Sequence, residues 1–143
     1  MLSYQQIDII ADSFIPLLLL LCILIISINF IRRRRHTGIS QLTILLLGIA
    51  YVYAIYWLDK LLNLWTKLGW DYSTHTALAL MLSVFLFSYI KKLRYWIALL
   101  FVTYLLIMLY QQYHTIQDMV STIIIILPVS ILLIKTKPRL IIR

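Results

Sequence analysis

The side chains able to do chemistry in this 143-residue chain gather in two short segments. One runs from Lys60 through Lys67 and Asp71 to Ser73, Thr74 and His75; the other runs from Tyr113 and His114 to Asp118. His114 and Asp118 are four residues apart, which places both on one face of a helix and lets the carboxylate hold one ring nitrogen. A carboxylate so placed fixes the imidazole tautomer and makes the other nitrogen more basic. His75 follows Ser73 and Thr74, residue types that cap helix starts, where free N–H groups favour an anion. Lys60 and Lys67 add ammonium groups just upstream. Together these groups suit a phosphate: a nucleophile, a second acid or base, and donors for the equatorial oxygens. Asp71-x3-His75 repeats the carboxylate–histidine spacing, so a metal held by Asp71, His75, His114 and Asp118 is an alternative, one that leaves the lysines idle. The plainest alternative is that both histidines are ordinary residues of a membrane interface.

The elements that must position these groups are apolar helices. Hydrophobic residues make up 63% of the chain and charged residues 13%, against about 25% charged in soluble domains. Mean hydropathy is +0.95. Five long apolar runs, at 14–31, 39–58, 74–90, 95–110 and 116–134, approach the ~20 residues a membrane helix needs. Unbroken runs of this kind, with 3 Gly and 3 Pro in all, exclude the short alternating segments of a β-barrel. The pattern predicts an all-α fold, a polytopic membrane helix bundle with about five transmembrane helices in a single domain over residues 1–143. Pro16 suits the first turn of the first run, and Pro128 should kink the fifth. Residues 1–13 read either as a short interfacial helix or as disorder. Asp8 and Asp12 stand where a signal peptide carries basic residues, and no small-residue cleavage site follows. The single Cys22, inside the first run, leaves no disulfide or cysteine metal site and reads as a packing residue. Tyr51, Tyr53, Tyr56, Trp57, Trp65 and Trp70 read as an interfacial aromatic belt.

Charge fixes the expected orientation. Arg32–Arg35 follow the first run, Lys91, Lys92 and Arg94 separate the third and fourth, and Lys135, Lys137, Arg139 and Arg143 follow the fifth. Five crossings bring these clusters to one side, which the positive-inside rule makes cytoplasmic. All 5 acidic residues (Asp8, Asp12, Asp59, Asp71 and Asp118), with His75, His114, Lys60 and Lys67, then fall outside. The net charge of +8 is thus a topology signal beside anionic lipid and not a nucleic-acid surface. The expected home is a bacterial inner membrane or an organelle membrane.

Over residues 58–128 the chain resembles the type 2 phosphatidic acid phosphatase superfamily, which includes the sphingomyelin synthases. That family carries Lys-x6-Arg-Pro, then Pro-Ser-Gly-His, then Ser-Arg-x5-His-x3-Asp. Here Lys60-x6-Lys67 keeps the first spacing, with Leu68 for Pro; Tyr72-Ser73-Thr74-His75 stands for the second motif, and His114-x3-Asp118 meets the end of the third. Asp71-Tyr-Ser-Thr-His-Thr76 looks especially like the sphingomyelin-synthase version. Ile107-Met108 occupies the place of Ser-Arg. The resemblance implies a phosphatase or phosphotransferase acting on a lipid phosphate or diphosphate through a phosphohistidine, with no cofactor and no metal. It makes His114 the nucleophile, Asp118 its orienting partner and His75 the acid and then the base. Lys60, Lys67, Asp71, Ser73 and Thr74 would line the substrate site. The competing expectation is a catalytically silent descendant serving in a membrane complex. The expected partners are the lipid phosphate substrate and membrane lipids, with a homo-oligomer and a larger membrane complex as alternative assemblies.

Overall fold

The computed structural model describes residues 4–136, and its secondary structure is helical with no strand among them. Five α-helices follow one another: α1 (Tyr4–Ile31), α2 (Arg35–Leu62), α3 (Thr74–Tyr89), α4 (Arg94–Tyr110) and α5 (Ile116–Lys135). Two 3-10 turns, Thr66–Leu68 and Lys91–Leu93, precede α3 and α4. Four of the helices, all but α3, are long and apolar enough to cross a membrane, α4 being counted with its leading turn. Their outward faces carry Leu17, Leu20, Leu46, Leu99 and Leu132, each more than half exposed. Apolar surface this extensive is stable against lipid tails and not against water.

The shortest helix is the central one. α3 has 16 residues, about 24 Å at the usual rise, below the ~30 Å hydrocarbon thickness. It packs against all four other helices. Thr76, Ala77, Ala79, Leu80, Met81, Leu82, Ser83, Phe85 and Leu86 are all buried, and of its large apolar residues Phe87 is exposed. A helix apolar on every side belongs inside a bundle. Sheltered there, α3 need not match the bilayer.

Small residues let its neighbours approach. A Cβ on Gly48 of α2 would lie 2.0 Å from Met81 Cε on α3, so any larger residue there would make the Met81 side chain shift. Cys22 is fully buried, as a packing residue should be. Polar ties cross the remaining seams. Asn29 Nδ2 donates to Gln41 Oε1 at 2.9 Å between α1 and α2. Phe14 of α1 stacks on Tyr104 of α4, with ring centroids 4.3 Å apart.

Two expectations about α1 are corrected. It begins at Tyr4, so residues 4–13 continue the first helix without a break and Pro16 sits in its interior. Asp8 makes this start tolerable: its Oδ1 accepts from Gln111 Nε2 at 3.1 Å and from the Tyr113 hydroxyl. Pro128 likewise lies within a continuous α5. Near the amide that Pro128 lacks, the Tyr51 hydroxyl donates to the Ile125 carbonyl at 3.2 Å, the kind of neighbouring donor that lets a bundle helix keep a proline.

Helix direction alternates along the chain, and the charges sort accordingly. The starts of α1, α3 and α5 meet the ends of α2 and α4, joined by the Asp8–Gln111, Asp71–Asp118 and Trp65–Ser121 hydrogen bonds. Every acidic residue lies toward this end, together with His75 and His114. Arg32–Arg35, His36, Lys91, Lys92, Arg94 and Lys135 occupy the other. Lys137, Arg139 and Arg143 lie outside the described residues.

Candidate functional site

Two helix starts, laid side by side at the acidic end, build the site. Ser73 caps α3: its Oγ accepts from Thr76 N at 3.1 Å and donates to Thr76 Oγ1 at 2.8 Å. Ser73 N in turn donates to Thr122 Oγ1 on α5 at 3.2 Å, and the Thr122 hydroxyl donates to the Asp118 carbonyl at 2.7 Å. Asp71 N donates to Asp118 Oδ1 at 2.7 Å. Thr115 caps α5 in a reciprocal box, its N–H donating to Asp118 Oδ2 at 2.8 Å while its hydroxyl accepts from Asp118 N. The incoming loop is pinned as well. Trp65 N donates to Asp59 Oδ1 at 2.9 Å and Trp65 Nε1 to Ser121 Oγ at 2.8 Å. The Tyr72 hydroxyl reaches the Val52 carbonyl at 3.0 Å.

This scaffold brings His75, in the first turn of α3, to His114, just ahead of the α5 cap. Their ring centroids are 6.4 Å apart, with the planes tilted by 47°. His75 is exposed and His114 half-buried. Burial pulls the His114 pKa below the ordinary histidine value; the Asp71 and Asp118 charges push it up, and His75 pulls it down again. The net direction is downward, which favours a neutral ring with a free lone pair.

The partner expected for His114 is a correction. His114 precedes the N-cap, so the i,i+4 geometry of a helix does not hold between it and Asp118. Both Asp118 oxygens are instead taken by backbone amides, those of Asp71 and Thr115. Asp118 therefore holds the two helix starts together and acts on His114 through its charge. Asp71, expected among the substrate contacts, exerts the larger charge effect on His114 of the two. The Thr115-x2-Asp118 pattern of a capping box was legible beside the His-x3-Asp spacing, and it is the pattern the fold uses.

The expected donors are only partly gathered. Ser73 is fully buried with its amide committed to Thr122, which leaves the Thr74 and His75 amides without a partner among the described residues. Lys60 is exposed on α2 with its ammonium 5.6 Å from the centre of the Tyr56 ring. Lys67 is exposed in the 3-10 turn. Neither lysine donates a hydrogen bond to the histidine cluster. Among the described residues no group of three or more His, Cys, Asp or Glu side chains is placed to hold a metal ion, so the four-ligand alternative finds no ligand set.

The fold and this cluster define a class: an all-helical bundle with helices of membrane-spanning length and a histidine pair at one mouth. No protein-family model, no curated protein and no solved structure matches the chain.

Proposed function

We propose that the chain is an integral membrane phosphatase or phosphotransferase acting on a lipid phosphate or diphosphate at the extracytoplasmic face. The observation that carries this reading is the His75–His114 pair, two imidazoles from separate helix starts with centroids 6.4 Å apart. A phosphoryl group between them would have a nucleophile on one side and a proton donor on the other, as in-line transfer requires. His114, kept neutral by burial, attacks phosphorus; the P–O bond to the lipid breaks, and His75 gives its proton to the departing oxygen. His75 then takes a proton from water or a lipid hydroxyl, which attacks the phosphohistidine and frees His114. The Thr74 and His75 amides at the start of α3 are the donors left for the equatorial oxygens. Lys60 and Lys67 raise the local concentration of an anionic substrate from the rim. The concentration of cationic residues at the opposite end supports placing that end in the cytoplasm.

One observation favours a second reading. Asp118 is wholly engaged in capping, and among the described residues no arginine donates to the histidines, with Ile107-Met108 in the place of the resembling family's Ser-Arg. A silent subunit of a membrane complex would keep this scaffold without its chemistry. Phosphate release by the purified protein, measured over a panel of lipid phosphates and diphosphates, separates the two. Turnover that is lost in His114→Ala is expected; equal release from both proteins assigns the activity to a contaminant and leaves the silent subunit.

A further inference from the structure

At the basic end, away from the histidines, a groove of about 460 Å³ runs between α3, α4 and α5. Its volume falls within the ~300–1,000 Å³ of ordinary ligand sites. Phe87, Ala98 and Ile131 are its exposed lining residues, with exposed Lys135 at the C-terminal end of α5 and buried Ser83 also in its wall. Ser83 is 5% exposed, and its hydroxyl has no hydrogen-bond partner among the described residues. Other helix hydroxyls here donate back to the carbonyl one turn earlier: Thr103 to Leu99 at 3.0 Å and Ser130 to Ile126 at 2.8 Å. Ser83 does not, and hydrocarbon offers it no acceptor.

The charges around this groove are also unmet. Lys135 ends α5, and Lys91, Lys92 and Arg94 form the turn that joins α3 to α4. All 5 acidic residues of the chain lie toward the opposite end, so among the described residues these cations have no acidic side chain to pair with. An occupant must therefore bring a hydrocarbon chain for the groove, an acceptor for Ser83 and an anion for the lysines.

We infer that this groove is a seat for one anionic phospholipid. One acyl chain lies between α3, α4 and α5, an ester carbonyl accepts from Ser83, and the headgroup phosphate sits among Lys135, Lys91 and Lys92. Basic recesses between membrane helices bind anionic headgroups in this manner. The inference stands apart from the phosphoryl-transfer reading, because none of its residues belongs to the histidine site.

Native mass spectrometry of the purified chain with added phosphatidylglycerol or phosphatidylcholine tests it. Wild type should retain one phosphatidylglycerol and release phosphatidylcholine. Lys135→Gln should weaken that retention about fivefold, one lysine's attraction to an anionic headgroup. Ala98→Trp, which fills the mouth, should abolish it, while Leu100→Trp on the lipid-facing surface of α4 should leave it unchanged. Equal retention of the two lipids, or retention untouched by both Lys135→Gln and Ala98→Trp, overturns the inference. So does a dimer that Ala98→Trp dissociates, since the groove would then seat a second copy. Lys135→Gln changes only an exposed side chain, so its outcome counts even if Ala98→Trp fails to fold.

Discussion

In the proposed mechanism His114 carries the heaviest demand of any single residue, because a nucleophilic imidazole must be neutral when substrate arrives. Burial lowers its pKa despite the Asp71 and Asp118 charges nearby. The acid limb of a pH–rate profile should therefore have its midpoint below the ordinary histidine value of about 6.5. Asp71→Asn, which removes the charge that most raises this pKa, should move the midpoint lower still. The same shift bears on stability. The folded His114 pKa lies below the unfolded one, so the unfolded chain binds more protons once pH falls through about 6.5, and stability declines on acidification. Asp118 belongs to another category of effect. Asp118→Asn should remove charge-assisted acceptance from the Asp71 and Thr115 amides and cost about 1 kcal/mol, read as a lower melting temperature in detergent. An unchanged melting temperature with a rate loss alone would restore the purely catalytic role that the His-x3-Asp spacing suggests.

At the scale of elements, helix starts and ends follow physics that the sequence displays. The expected third, fourth and fifth runs agree with α3, α4 and α5 to within a residue or so, because charged clusters and the Ser73 and Thr115 caps bound them. The start of α1 was not legible in the same way. Gln5, Gln6, Asp8 and Asp12 read as a polar headpiece, whereas Asp8 is satisfied by Gln111 and Tyr113 from more than a hundred residues away. Lys60 illustrates the same limit: α2 continues to Leu62, which lays the lysine over Tyr56 on its own helix and not over the histidines. Packing of the shortest helix makes a prediction here. Gly48→Val should press into Met81 and destabilise the bundle by about 1–3 kcal/mol. Met81→Ala should recover part of that loss in the double variant, measured as coupled shifts in melting temperature. Additive losses would mean that α2 and α3 do not meet at Gly48.

The whole molecule combines a largely buried central helix, four longer helices packed around it and two chemically opposite ends. This division was plain in the sequence because apolar runs and charge clusters are properties of single segments. The pairing of His75 with His114 was only implied there, since it depends on α3 and α5 starting side by side. On the proposed orientation, cysteines introduced at Lys67 should react with an impermeant reagent on intact cells, and cysteines at Lys92 should not. Cys22 is fully buried and leaves the background low. Reaction at position 92 would invert the scheme and move the histidines to the cytoplasm. The central claim is that His114 forms a covalent phosphoenzyme which His75 resolves. Its most direct test is mass spectrometry of His75→Ala protein quenched at alkaline pH after exposure to a lipid diphosphate, whose good leaving group does not need the missing acid. The account predicts an acid-labile phosphoryl group on the peptide containing His114, absent when His114→Ala is added. A phosphoryl group on another residue, or none under conditions in which the wild type turns over, would contradict it.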